Sequence, residues 1–319
     1  MTASLPVEVR HAFEDFITCE FTTVDAAGQP IVWPVTPYYS DGGPAIDVTT
    51  GLGYPKKADD AARHPSVSLL FSDPTGSGSP SAPSVLVQGT AEVDDRNLEA
   101  NRERYWSESA EKLPATQGMH PPKPLRRLLG WYYTRIYVHV RPERVFSWPD
   151  GDFSKSPEIH DSHLEEVRSG HSEEPAAPHP ATGATEPVWD QRIDQLGERY
   201  ETAVISWVAP DGFPLAARLP MRPDSGARRI GLPGEPAGLP LEAGQACLVA
   251  HRHAEDFTWQ ENFQVRGELV RDSGGWALVP RKLVGGFELP DESRPAMLKR
   301  NLGKGFRFAR TARRRLKER

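Results

Sequence analysis

The sequence predicts a mainly β protein with peripheral helices (α+β), folded as two small β-barrels in tandem. Three observations carry that reading. The chain holds 27 Gly and 31 Pro among 319 residues, a density of turn formers that breaks a chain into many short strands. Its length fits about two domains of roughly 100–200 residues each. Three landmarks of its first half recur in the same order in its second half, the mark of an internal repeat.

In the first half, residues 7–17 read as a helix with Val7, Phe13 and Phe16 on its apolar face. Residues 20–24 and 30–39 read as a hairpin, because Gly28 supplies a positive φ and Pro30 marks the strand entry. A strand follows at 45–50 and a helix at 55–63. Pro55 suits that helix's first turn, and His64-Pro65 ends it, since the residue before proline avoids the helical region. Strands at 66–72 and 85–93 flank the flexible loop PTGSGSPSAPS. Helices are expected at 95–113 and 123–131, and a closing strand at 133–140 runs into RPERVFSWPDGD.

The stretch 154–188 is rich in Pro, Glu, Ser, His and Ala and poor in apolar residues. It buries too little to offset the entropy of ordering and reads as a flexible linker. It separates a first barrel at 1–153 from a second, degenerate barrel at 189–290 and a basic helix at 291–319. Five histidines fall in or near the linker (His139, His160, His163, His171 and His179). Their spacing fits no structural zinc pattern, so they read as solvated, and no metal is expected.

The repeat is specific in its spacing. Strand, turn glycine, one residue, proline and strand recur around Gly28/Pro30 and Gly212/Pro214. Val87-Gln88-Gly89 pairs with Val265-Arg266-Gly267. The closing segment from Val140 to Val145 pairs with the one from Leu278 to Leu283. The halves are unequal: where the first has its lysine-bearing helix, the second has the neutral GLPGEPAGLPLEAG.

IDVTTGLGYPKKADDAARHPSVSLLFSD, then VLVQGTAEV, then YVHVRPERVFSW, resembles the pyridoxamine 5′-phosphate oxidase-like split-barrel superfamily, which includes flavin and deazaflavin oxidoreductases. The resemblance covers residues ~10–150 and, through the repeat, 190–290 more faintly. It implies that Thr49, Thr50, Lys56 and Lys57 cradle a cofactor phosphate. The physics agrees, because hydroxyls, free helix N-terminal N–H groups and ammonium groups favour a dianion. Lys57 lies eight residues before Pro65, where the family's phosphate-binding basic residue falls. The plain alternative is a solvated lysine pair.

The resemblance also places Trp33, Val35 and Thr36 beside the cofactor ring, although Trp33 and Val35 serve equally as core residues. Ser72 and Gln88 would reach the ring or ribityl chain. Members pair as homodimers around the cofactor, so a tandem chain would form the pseudo-dimer internally, and the chain is expected as a monomeric pseudo-dimer or a homodimer. Trp259 and Gln260, with His251, His253 and Arg266, would then supply the partner-side contacts. With one lysine helix, one cofactor per chain is expected, FMN first and F420 as the alternative.

The expected function is a flavin-dependent oxidoreductase moving two electrons to or from a small organic substrate. The alternatives are an F420-dependent reductase and a non-catalytic cofactor-binding protein. No Ser-centred triad, Walker loop, HExxH or GxGxxG motif is present, and no residue stands out as general acid or base. A net charge of −6 gives no long-range attraction to nucleic acid. Cys19 and Cys247 lie in apolar runs and read as buried thiols. Without a signal-type segment or an apolar run of about 18 residues, the chain is expected to be cytoplasmic with no membrane span. The C-terminal LKRNLGKGFRFARTARRRLKER carries ten Lys/Arg and one Glu; it reads either as a solvated helix or as one that receives an acidic group.

Overall fold

The computed structural model describes residues 5–40, 43–119, 129–161, 186–286 and 294–317. Two curled antiparallel sheets fill it. The first comprises β1 (Cys19–Val24), β2 (Pro30–Val35), β3 (Pro37–Tyr38), β4 (Ile46–Gly51), β5 (Ser66–Phe71), β6 (Ser84–Asp94), β7 (Arg135–Trp148) and β8 (Glu158–Asp161). The second comprises β9 (Ala203–Val208), β10 (Pro214–Leu219), β11 (Arg222–Asp224), β12 (Arg229–Leu232), β13 (Gly244–His253), β14 (Gln260–Asp272) and β15 (Gly275–Gly285).

The strand orders, β2-β1-β5-β6-β7-β4-β3 and β10-β9-β13-β14-β15-β12-β11, are the same permutation. The expected mainly β, tandem split-barrel fold is therefore what the chain adopts. The repeat landmarks explain it residue by residue. Gly28 and Gly212 sit at φ 77° and 86°, and each donates its N–H at 2.9 Å to the residue three back, Asp25 and Ala209. The register slips by one residue between Gln88 and Gly89 and again between Arg266 and Gly267. A Cβ at Gly89 or Gly267 would strike the Arg141 or Val279 carbonyl oxygen, so only glycine allows the strands to close up at these bulges.

Helices are peripheral: α1 (Val7–Asp15), α2 (Lys56–Arg63), α3 (Leu98–Lys112), α4 (Gly130–Tyr133), α5 (Gln191–Asp194) and α6 (Arg294–Lys317). One apolar cluster fills the first barrel around Phe13, Phe21, Phe71 and Val138. A second fills the other barrel around Trp207, Phe263 and Leu278, and it takes in Val32, Leu70, Leu86, Trp148 and Phe153 from the first half. The seam between barrels is thus partly core. Where α2 would recur, Leu239 and Leu241 are buried instead, and the Trp207 indole N–H donates to Pro240 O at 2.9 Å.

Several expectations are corrected. Val7 is 51 % exposed; Val9, Ala12 and Phe13 make the buried face of α1. Residues 158–161 form a strand rather than flexible linker, because β7 beyond Val140 has lost β4 as a neighbour and its free edge pairs with β8. His160 is accordingly not simply solvated: its Nε2 lies 2.8 Å from Ser147 Oγ. His139 lies in β7, within the closing strand expected at 133–140. The helix expected over 123–131 falls mostly outside the described residues, as do His163, His171 and His179. Both cysteines are buried free thiols, pushed up in pKa chiefly by burial. Among the described residues no helix is long and apolar enough to cross a membrane.

Candidate functional site

The outer face of β4 and β7 carries the chemistry of the first barrel. Along β7, Ile136, Val138 and Val140 enter the core, so Arg135, Tyr137 and His139 point the other way, toward α3. Thr49 pairs with Tyr137 and Asp47 with His139, which puts both on that same face.

Arg135 is buried, and no carboxylate among the described residues pairs with it. Its guanidinium donates to the phenol oxygens of Tyr54 at 3.0 Å and Tyr105 at 2.7 Å. It also lies over the rings of Tyr105 and Tyr132, at 4.1 and 4.3 Å. Its Nε is buried without a partner. Lys57, half-buried on α2, makes no hydrogen bond or ion pair among the described residues. Burial first, and the nearby Arg135 charge second, lower its pKa to about 8. Two sequestered cations without a counter-charge are unfavourable on their own, because each has lost hydration and repels the other. An anion between them would relieve both penalties, so this pair fits a phosphate.

The other cradle residues are placed differently. The Thr50 hydroxyl donates to Tyr54 O at 2.9 Å, which closes the turn into α2. Thr49 is half-buried on the Arg135 face. Lys56 points outward and pairs with Asp60 at 2.9 Å and Asp25 at 3.4 Å, so its charge is already matched. The C-terminal helix lies over the start of α2. Phe308 meets Tyr54 and Trp131 with ring centroids 5.4 and 5.2 Å apart, and Arg315 bonds Asp59 and reaches Asp95 at 3.2 Å. This part of the basic helix is docked on the barrel.

Next to the Arg135 nest a groove of about 830 Å³ opens between α1, α3 and the ends of β3, β4, β6 and β7. Tyr38 links the two places: it lines the groove, and its hydroxyl, pushed far up by burial, feels the Arg135 charge. Lys112 also lines it and donates to the Glu14 carbonyl; burial lowers its pKa to about 8. The volume suits a compact organic ligand or cofactor ring.

Trp33, Ser72 and Gln88 lie at the seam and do not line this groove. Trp33 packs on the second core, and Gln88 Nε2 donates to Pro214 O at 3.0 Å. Ser72 joins a buried polar cluster built from both halves. Its hydroxyl donates to Glu20 Oε2 at 2.7 Å and receives Arg218 Nε at 2.9 Å. Arg218 reaches Glu20 Oε1 at 2.8 Å, and His251 Nε2 lies 2.6 Å from the same oxygen. Burial alone would raise the Glu20 pKa, but Arg218, His251 and Ser72 overcome it and hold it low. Val35 is in the first core and Thr36 is half-buried between β2 and β3.

On the second barrel, Trp259 is a partly exposed residue under Arg252, 5.5 Å from its ring centroid. Gln260 opens β14 opposite His253. His253 Nδ1 lies 2.9 Å from Ala254 O; a carbonyl only accepts, so the proton is on Nδ1 and Nε2 accepts from Thr18 Oγ1 at 3.2 Å. Burial lowers the pKa of this ring.

No family model and no curated protein matches the chain. Solved structures do resemble about half of it. General Stress Protein 26 from Bacillus anthracis aligns at 14 % identity over 48 % of this chain and 95 % of its own, TM-score 0.32. A putative pyridoxamine 5′-phosphate oxidase from Listeria innocua aligns at 19 % over 45 % and 99 %, TM-score 0.32. An F420 reductase aligns at 18 % over 44 % and 98 %, TM-score 0.34.

Sequence reasoning did not single out Arg135, Asp47, Arg104, Glu108 or His139, which the fold brings together on the outer β4–β7 face. The alternation Arg135-Ile-Tyr137-Val-His139-Val was the available signal: a period-2 strand whose outward face is cationic and aromatic needs a polar cover, and α3 supplies it.

Proposed function

We propose that this protein is a flavin-type oxidoreductase of the pyridoxamine 5′-phosphate oxidase-like kind, binding FMN, or alternatively F420, through its first barrel. The observation that carries the reading is the Lys57–Arg135 pair, two sequestered cations with no matching carboxylate among the described residues, at the lysine where the resemblance of residues ~10–150 puts the cofactor phosphate. Lys57 and Arg135 would hold the phosphate, Thr49 would line its approach, and the tyrosines around Arg135 would fix the guanidinium plane. The ring would extend toward Tyr38 and the groove, and Trp33, Ser72, Gln88, Trp259 and Gln260 would act at the seam rather than on the phosphate. When bound, the group supplies two-electron transfer; the protein binds, orients and shields it.

The test compares FMN with riboflavin, which lacks the phosphate. Purified protein should bind FMN well and riboflavin poorly, and Lys57→Glu should abolish FMN binding. A protein that binds neither FMN nor F420, measured by absorbance, fluorescence quenching and native mass spectrometry, overturns the proposal. Selective binding of F420 would replace FMN with the deazaflavin and keep the phosphate assignment.

A further inference from the structure

In its last three turns α6 uses one side to hold the barrel and leaves the other to solvent. Phe308, Ala312 and Arg315, spaced i, i+4 and i+7, form the docked stripe. Phe308 packs on Tyr54 and Trp131, and a Cβ at Gly53 would lie 2.8 Å from Phe308 Cβ. Ala312 is buried in the first core, and Arg315 pairs with Asp59 and Asp95. Phe306, Arg310, Arg313 and Lys317, spaced i, i+4, i+7 and i+11, form a second stripe about 200° around the helix. All four are exposed, Phe306 by 77 %. Arg307 and Arg314 are exposed beside them.

The docked stripe holds the outer one in place, so its charges form a fixed face. Arg307, Arg310, Arg313 and Lys317 make no ion pair among the described residues. The helix contains ten Lys/Arg and no Asp or Glu, so no acid one turn away matches them. The whole chain is at −6, which leaves the remainder net acidic and gathers the positive potential on α6. Such segregation draws a polyanion to one face and turns the rest of the molecule away from it. The four cations extend along about 15 Å, opposite a duplex that carries one charge per ~1.7 Å of its axis.

The composition of the face narrows the polyanion. Arginine dominates it, and the planar guanidinium fork matches phosphate oxygens bidentately. A helix lying in a membrane surface buries a continuous apolar face. Here the barrel occupies that face, and the exposed Phe306 and Leu316 are nearly three turns apart. Single-strand sites stack successive bases on several aromatic side chains, and this stripe has one. We propose that the outer face of α6 is a docking surface for duplex DNA, held through its phosphate backbone. With its inner side fixed on the barrel, the helix meets phosphates and not the groove floor, so the contact is independent of sequence. Neither Lys57 nor the groove takes part, and the redox reading is not needed for it.

Fluorescence anisotropy of a labelled duplex of about 20 bp, titrated with the full chain, tests it. Two unrelated sequences should bind equally. Between about 50 and 200 mM salt, log K should fall against log salt with a slope of about −3 to −4, as expected for four phosphate contacts. Arg310→Gln with Arg313→Gln should reduce that slope by about 2 and raise Kd at least about tenfold at low salt, with Tm unchanged because both side chains face solvent. Arg310→Lys with Arg313→Lys should keep the slope. A wild type that does not bind the duplex at about 50 mM salt, or a double Gln variant that binds like wild type, overturns the proposal. Tighter binding to phosphatidylserine vesicles or to a single-stranded uridine oligomer than to the duplex also overturns it, and assigns the face to a membrane or to RNA.

Discussion

The Glu20 carboxylate of the first barrel and the Arg218 guanidinium of the second meet at 2.8 Å, with Glu20 fully buried. Their repeat counterparts are Val204 and Pro34, four residues beyond the opposite strand entry in the case of Arg218 and Pro34. The pair therefore exists only when a first barrel faces a second one, and it distinguishes the two halves of an otherwise repeated interface.

Breaking that pair should be costly. Arg218→Met takes the guanidinium from a buried carboxylate, leaving it only Ser72 and His251 as partners, and is expected to destabilise the chain by about 3–5 kcal/mol, read by urea denaturation. The double variant Glu20→Leu with Arg218→Met should recover most of that loss, since it also removes the carboxylate that Arg218 paired with. A double variant as unstable as the single one would refute this account of the seam.

Acid should loosen the same seam. Glu20 is held low, and Asp73 is lowered to about 2, where burial opposes but the Arg218 charge and nearby histidines win. Groups with depressed carboxylate pKa stabilise the fold above their unfolded pKa near 4 and lose that contribution as pH falls through the folded value. Stability should therefore drop between about pH 4 and pH 2, more steeply in wild type than in Glu20→Leu/Arg218→Met.

Lys57 should carry a signature of the same sign in the alkaline range. Its pKa of about 8 lies below that of an unfolded lysine, so above pH 8 the native state has released a proton the unfolded state still holds. Stability of the ligand-free protein should rise from about pH 8 toward 10.5, with a similar contribution from Lys112. Lys57→Met should reduce that slope, raise Tm at pH 7 and remove FMN binding. In the wild type, FMN affinity should weaken above pH 8 as the ammonium is lost.

Arg135 separates phosphate recognition from ring recognition. Arg135→Met should raise the Kd for FMN at least about tenfold, the loss of one charge-assisted contact, and leave riboflavin affinity unchanged. Equal weakening for both ligands would assign Arg135 a packing role only.

The bulge glycines should behave as a pair. Gly89→Ala and Gly267→Ala each force a Cβ onto a carbonyl oxygen and should each cost about 2–3 kcal/mol. Thermal unfolding of the two variants checks that the same strand closure operates in both barrels.

Much of the fold was legible because its signals are local. Gly28 and Gly212 need a positive φ wherever they occur, Pro65 ends α2, and the two bulge glycines announce the same strand closure. The edge strand β8 was not legible: its residues have the composition of a linker, and only the unpaired edge of β7 orders them. The candidate site divided in the same way. The resemblance singled out Lys57 through its distance to Pro65, whereas Arg135 and His139 look like ordinary strand residues until α3 closes over them.

By itself, the sequence determined two barrels of like topology and the asymmetry that leaves a lysine-bearing helix in only one. These follow from backbone conformation and periodicity, which short stretches specify. Tertiary structure decided which charges are matched. Lys56 is neutralised by Asp25 and Asp60, Arg135 and Lys57 are left without a carboxylate among the described residues, and Glu20 finds Arg218 across 198 residues of chain. Charge matching depends on distance and desolvation in space, and neither is written in the order of residues along the chain.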